Sequence, residues 1–256
     1  ALYFDDFLKL GEGLPRQSEV EQLYAQANND DLCNILYTSG TTGESKGVML
    51  TYGQYEAALK ANDEVVPLKE SDRVIQFLPI THIFERGWSY LAFSEGCHII
   101  INTNPHDIQQ SMRETHPTCM SSVPRFWEKV YQAVLDKIDR SSVAKQRLFR
   151  HALEVGRRYN IDCKSRCKRP SPLLAMEYKL FDKMILRLVR KQIGLENAHL
   201  FPTAGATVSP AVERFVHSVG INMIVGYGLT ESLATVSCDR EDMPFTIGSV
   251  GRPING

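Results

Sequence analysis

The sequence predicts an α/β fold of layered, mostly parallel sheets flanked by helices, and two observations carry that prediction. Short apolar runs of strand length alternate with longer stretches of helical periodicity, the order that builds parallel sheet between helices. The chain is also large enough: 256 residues, 43% of them hydrophobic, can bury a sizeable core in one large domain or two closely packed ones. No internal repeat or low-complexity tract breaks the pattern.

The strands are expected at Leu32 to Tyr37, Val74 to Leu78, His98 to Ile101, His199 to Phe201 and Asn222 to Val225. Each is a compact apolar run beside Gly, Pro or polar turn residues, and together they should form a buried, largely parallel sheet. Between them, Thr51 and Gln54 stand in capping-box spacing ahead of Tyr55, Ala58 and Leu59. Pro124 opens a helix whose Trp127, Val130, Tyr131 and Val134 recur at i, i+3, i+4 and i+7. The same stripe is read at Phe181, Met184, Ile185 and Leu188, and again after Ser209-Pro210 at Val212, Phe215, Val216 and Val219, where Gly220 ends the helix. These aromatics read as core packing, not as a cofactor box. A long helical region closes near Gly194 to Asn197, which divides the chain into a lead-in segment (1–31), a first subdomain (32–196) and the start of a second (197–256).

Charge and composition narrow the function classes. A formal net charge of -1 supplies no field that would draw the whole chain to nucleic acid or an anionic surface. Lys and Arg do dominate between Lys137 and Arg169, a candidate for peripheral contact with the inner face of a membrane, although the run shows no sustained apolar stripe opposite its charges. Apolar runs such as Met184 to Leu186 are far too short to span a bilayer, and the first residues lack the basic start of a secretory signal. The six cysteines are scattered without a Cys-x-x-Cys, which suits a reduced cytoplasm; Cys163 and Cys167 read as plain thiols, not a zinc site. Starting without Met and ending in the turn-rich Gly251 to Gly256, the chain reads as trimmed from a longer one.

The chemistry concentrates in Tyr37-Thr38-Ser39-Gly40-Thr41-Thr42-Gly43-Glu44-Ser45-Lys46-Gly47-Val48, an apolar strand running into hydroxyls and glycines and then one lysine. Glycines let backbone N–H groups approach an anion closely, Thr38, Ser39, Thr41 and Thr42 add donors, and Lys46 supplies a point charge, so the loop suits phosphate. Gly40, Gly43 and Lys46 are three apart, which is not the G-x-x-x-x-G-K-[ST] spacing of a P-loop. The segment instead resembles the T-S-G-T-T-G-x-P-K-G signature of adenylate-forming enzymes, the superfamily of acyl-CoA synthetases, luciferases and peptide-synthetase adenylation domains. Gly226-Tyr227-Gly228-Leu229-Thr230-Glu231-Ser232 is similar to the G-Y-G-x-T-E element of that family, and Thr203-Ala204-Gly205-Ala206-Thr207 to its small-residue adenine loop. Leu78-Pro79-Ile80-Thr81-His82-Ile83-Phe84-Glu85-Arg86 and the Val123-Pro124-Arg125 helix resemble elements of its long-chain fatty acyl-CoA synthetases, and Gly248 to Pro253 the G-x-V-G-x-P segment. The chain departs at Ser45, where proline is usual, at Glu44, which adds a negative charge, and at Tyr52, where histidine is common.

The resemblance implies part of the large N-terminal domain of an adenylate-forming enzyme that lacks the mobile C-terminal domain. It implies ATP, Mg and CoA as cofactor and co-substrates and a fatty acid as substrate. Lys46, His82, Thr230 and Glu231 would be catalytic, Glu231 as the Mg ligand. Thr38, Ser39, Gly40, Thr41, Thr42, Gly43, Lys46, Gly205, Ala206, Tyr227, Gly228 and Thr230 would hold the nucleotide. The trimmed chain alone is expected to turn nothing over and, through exposed apolar edges, to favour self-association. The competing readings are an adenylate-forming ligase for another acid, a fatty acyl-AMP ligase that does not use CoA, and a non-catalytic ATP-binding module.

Overall fold

A computed structural model describes residues 3–13, 16–39, 43–240 and 242–255. Two short helices, α1 (Phe4–Lys9) and α2 (Gln17–Gln26), bury no side chain and lead into a hairpin. Its strands β1 (Leu32–Ser39) and β2 (Ser45–Thr51) pair antiparallel, with Thr38 opposite Lys46 and Leu36 opposite Val48. This corrects the expectation of a buried parallel strand at Leu32 to Tyr37. Only positions 40–44 separate the two strands, whereas a parallel return needs a crossover of about a dozen residues or more. Leu36 and Leu50 face inward, while Ile35, Tyr37 and Met49 stay exposed.

The capping box forms as read: Thr51 Oγ1 accepts from the Gln54 amide at 3.3 Å, and Gln54 Oε1 from the Thr51 amide at 2.9 Å, opening α3 (Tyr52–Asp63). A parallel unit follows, β3 (Arg73–Gln76), α4 (Ile83–Ser94) and β4 (His98–Ile101). Helices α5 (Ile108–Thr115), α6 (Pro124–Asp139), α7 (Val143–Arg157), α8 (Pro172–Phe181) and α9 (Arg187–Ile193) come next, then β5 (Phe201–Thr203), α10 (Pro210–Ser218), β6 (Met223–Leu229), β7 (Ala234–Cys238) and β8 (Arg252–Pro253).

β5 and β6 run parallel, and β7 and β8 continue antiparallel. The stretch 118–122 lies between β3 and β5 and bridges both, through Val74–Cys119, Cys119–Leu200 and Ser122–Thr203. Its backbone bonds alternate sides: Thr118 N donates to Arg73 O at 2.9 Å, and Ser122 N to Pro202 O at 2.8 Å. Strand spacing thus runs from β4 through β3 and 118–122 to β5, β6, β7 and β8.

The main core gathers Trp127, Phe149, Leu186, Phe201, Val212, Phe215, Val216 and Val219, residues from both sides of position 194. The Ser209 helix buries the stripe read from its sequence, and Gly220 follows at φ 81°. The stripe at Phe181, Met184, Ile185 and Leu188 is corrected. Met184 and Leu188 are exposed, and Leu186 takes the fully buried place with Ile185 and Val189 beside it. A π-helical turn over Asp182–Leu186 joins α8 to α9, and the extra residue in that turn rotates everything beyond it. The basic run also has an apolar face after all. α7 buries Phe149, Ala152, Val155 and Gly156, and a Cβ on Gly156 would stand 2.0 Å from the Ser218 carbonyl oxygen, so α7 lies directly on α10. Among the described residues, no helix is long and apolar enough to cross a membrane.

Candidate active site

Three of the strands end at one edge of the sheet, where ligands bind in open α/β sheets. β3 leads into Leu78 to Arg86, β5 into Ala204 to Thr207, and β6 into the turn that carries Thr230 and Glu231. Beside these ends opens a cleft of about 750 Å³. Its lining brings together Thr38, Ser39 and Lys46 of the hairpin, His82, Gly205, Tyr227, Gly228, Thr230 and Glu231. Gly43 and Ala206 are exposed and lie outside that lining, and Gly40, Thr41 and Thr42 fall outside the described residues.

Each polar group is held by its element. Lys46 and Thr38 are register partners across the hairpin, so the ammonium and the hydroxyl share one wall. His82 is the N-cap residue of α4, where its extended backbone directs the chain into the helix. The turn before it is closed twice: the His82 amide donates to Pro79 O at 3.0 Å, and Arg86 Nε to Ile80 O at 3.1 Å. Thr230 and Glu231 occupy the tight β6–β7 turn, in which Leu233 and Ala234 adopt φ of 55° and 83°. Gly228 has a backbone reason beside any ligand role, because a Cβ there would lie 1.3 Å from the Ala234 carbonyl oxygen.

The small-residue loop is fixed from below by a buried hydroxyl cluster. Trp127 Nε1 donates to Ser122 Oγ at 2.8 Å and to Thr203 Oγ1 at 3.1 Å, and the two hydroxyls are 2.8 Å apart. The helix that resembles the Val-Pro-Arg element therefore acts by holding Thr203, two residues before Gly205.

One residue of the site was missed in the sequence. Glu85, 1% exposed, lines the cleft and accepts from Ser121 Oγ at 2.5 Å. Burial pushes its carboxyl up to about 7; the Ser121 bond and the nearby Phe77 and Leu78 amides pull the other way, although Oε1 makes no well-formed hydrogen bond. Its neighbours Ala58, Leu59 and Val66, with Ile83, Trp88 and Leu91, give the cleft an apolar wall. The signal available was its place in the Leu78 to Arg86 motif.

A divalent cation bound with phosphates asks for one or two hard oxygen ligands at an open rim. The exposed carboxylate of Glu231, beside the Thr230 hydroxyl, has that character.

The family described as AMP-binding enzyme matches residues 2–256. Long-chain-fatty-acid–CoA ligase ACSBG2 of Xenopus laevis is 29% identical over 98% of this chain and 34% of its own length. The long-chain-fatty-acid–[acyl-carrier-protein] ligase AEE15 of Arabidopsis thaliana is 27% identical over 90% of the chain and 34% of its own. The chain thus spans about a third of the length of these curated relatives. The inhibitor-bound N-terminal domain of FACL13 from Mycobacterium tuberculosis shares the fold, with a TM-score of 0.59 at 20% identity over 90% of this chain and 45% of that one.

Proposed function

This chain belongs to the AMP-binding enzyme family, and from that premise we propose that the protein activates a long-chain fatty acid with ATP and passes the acyl group to CoA. The observation that carries the reading is the shared cleft: a lysine, hydroxyls, a histidine and an acidic turn face an apolar wall in one space of about 750 Å³. In the proposed reaction the fatty carboxylate attacks the α-phosphorus, pyrophosphate leaves with its electron pair, and acyl-AMP forms. The thiolate of CoA then attacks the acyl carbon and expels AMP.

No protein nucleophile is required, so rate enhancement rests on positioning and charge. Lys46, Thr38 and Ser39, with Gly40, Thr41, Thr42 and Gly43, are assigned to the phosphates. Thr230 is assigned to the α-phosphate, and Tyr227 with Gly205, Ala206 and Gly228 to the adenine. His82 would orient the acyl carboxylate. Glu231 would hold Mg²⁺, which when bound neutralises phosphate charge. The apolar wall from Ala58 and Leu59 to Trp88 and Leu91 suits an apolar acyl group, and the resemblance of the Leu78 to Arg86 motif to long-chain members selects a long alkyl chain over an aromatic or amino acid.

Acid-dependent ATP–pyrophosphate exchange on the whole natural protein, with short, medium, long-chain and aromatic acids, tests the reading. Exchange with long acids, followed by release of AMP on adding CoA, is expected. Exchange only with short or aromatic acids removes the long-chain assignment, and acyl-AMP that reacts with acyl-carrier protein but not CoA removes the acceptor. No exchange with any acid leaves a nucleotide-binding module.

A further inference from the structure

The geometry points to a divalent-metal site of the zinc class formed by Asp72, Cys119 and His199, at the sheet edge opposite the cleft. The three residues stand where neighbouring strands begin: Asp72 directly before β3, Cys119 in the bridging stretch, and His199 two residues before β5. Their separations of 47 and 80 positions hide them in the sequence, but register brings them together.

Asp72 Oδ1, Cys119 Sγ and His199 Nε2 all lie within 4.8 Å of one another. His199 Nε2 is 2.8 Å from Asp72 Oδ1 and 3.4 Å from Cys119 Sγ. Tetrahedral zinc, with Zn–S about 2.3 Å and Zn–N or Zn–O about 2.0–2.1 Å, sets sulfur and nitrogen about 3.6 Å apart and nitrogen and oxygen about 3.3 Å apart. Sulfur already has that spacing, and the carboxylate oxygen has to yield by about 0.5 Å. A hydrogen bond from His199 Nε2 to the Asp72 carboxylate explains the short nitrogen–oxygen contact. The Cys119 sulfur reaches the same nitrogen at 3.4 Å, so all three donor atoms converge on one point.

The surroundings supply what a metal ligand set needs. Thr118 Oγ1 donates to Asp72 Oδ1 at 2.7 Å and the Lys69 amide to Oδ2 at 2.9 Å, so the carboxylate is oriented in advance. Burial alone would raise the Asp72 carboxyl, but the bonds from His199, Thr118 and the Lys69 amide hold it below its ordinary value. Burial pushes the Cys119 thiol up, and a cation reverses that. On binding, the thiol proton leaves to solvent and the imidazole proton moves to Nδ1. Carboxylate and thiolate then balance the dication, so no buried charge is left uncompensated.

The donors decide the metal. One sulfur, one imidazole nitrogen and one carboxylate oxygen suit zinc or cobalt; magnesium and calcium ask for oxygen shells. The half-exposed side chain of His199 leaves a route from solvent and a fourth position for water. Cys97 is the next donor at hand, half-buried, bonded to Lys69 O at 3.3 Å and close enough to feel the Asp72 charge.

Cobalt(II) alone, titrated into the reduced 256-residue chain and followed by visible absorption, tests the site. One equivalent should produce thiolate-to-cobalt charge transfer with tetrahedral ligand-field bands. Cys119→Ser should abolish the charge transfer, and His199→Ala should weaken binding about tenfold or more with its far-UV circular dichroism retained. A Cys163→Ser, Cys167→Ser double variant should leave the bands intact. Absent bands in the unmodified chain, bands that survive Cys119→Ser, or unchanged affinity in His199→Ala would each overturn the assignment. The half-exposed His199 variant decides the matter even where the buried Cys119 variant does not fold.

Discussion

Ser121 Oγ donates to Glu85 Oε2 at 2.5 Å, a buried bond that ties the bridging stretch 118–122 to the first turn of α4. Glu85 stands three positions after His82 in the same motif and lines the same cleft, and burial holds its carboxyl at about 7 instead of an ordinary 4.5. A folded state that keeps this proton binds more protons than the unfolded chain between those two values, so stability is lost as pH rises from about 4.5 to about 7. Glu85→Gln should flatten the dependence across that window, by on the order of 3 kcal/mol at most, read from urea midpoints at each end. Asp239, pushed up to about 7 by burial and the Glu213 charge, gives a slope of the same sign, and His217, lowered to about 4 by burial, the opposite sign. Both remain in the variant, so the difference between the two curves isolates Glu85. Identical curves would remove the buried proton from Glu85.

How much of this was legible depended on whether the signal was local. The Thr51–Gln54 box and the Val212 to Val219 stripe are written within one helix turn or two, and they fold as read. The Phe181 stripe failed because an inserted π turn changes the angle per residue, which periodicity assumes constant. The stretch 118–122 was not read as a strand at all: it is short, mixed in polarity, and bonded to strands 45 and 80 positions away. The cleft was legible because its motifs are dense and local. Glu85 was legible only as a member of the Leu78 to Arg86 motif, since burial is what shifts its carboxyl, and the Asp72, Cys119 and His199 cluster was not legible, because register alone brings it together.

Gly228→Ala and Gly43→Ala should separate steric from conformational cost. At Gly228 the new methyl meets the Ala234 carbonyl at 1.3 Å, so the β6–β7 turn that carries Thr230 and Glu231 must open. At Gly43 nothing lies within 4 Å and only the φ of 88° is strained. Thermal melting should show about 1 kcal/mol lost at Gly43, and at Gly228 roughly 3 kcal/mol or more together with loss of ATP binding. Equal losses would contradict the packing of that turn.

Glu231→Gln and Lys46→Ala change exposed side chains on the rim of the cleft. Melting temperatures should stay within experimental scatter, because neither residue supports the core. Pyrophosphate exchange should fall about a hundredfold or more in each, the scale on which a lost electrostatic contact to a developing charge is felt. Exchange at the unmodified rate in Glu231→Gln would remove its metal role, and a parallel fall in melting temperature would recast it as structural.

Ala58→Phe projects a ring from α3 into the apolar wall opposite Trp88 and Leu91. It should raise the KM for long acids about tenfold and leave short acids little changed, since the added side chain fills volume without touching the phosphate end. A KM rise for ATP in place of the acid would exchange the two ends of the cleft.

Trp127→Phe probes whether the buried hydroxyl cluster reaches the nucleotide. The indole is fully buried, stacked edge-on against Phe126 at 4.9 Å and Phe201 at 5.4 Å, and a phenyl ring keeps much of that contact. What it loses is Nε1, the donor shared by Ser122 and Thr203. Two buried hydroxyls then have to satisfy each other beside a small void, at a cost of about 2–3 kcal/mol in urea unfolding. If Thr203 positions the loop that reaches Gly205, the KM for ATP should rise several-fold while the KM for the acid holds, and Ser122→Ala should reproduce the stability loss in part. A destabilised Trp127→Phe protein with both KM values unchanged would confine the cluster to the core and leave the adenine loop to position itself.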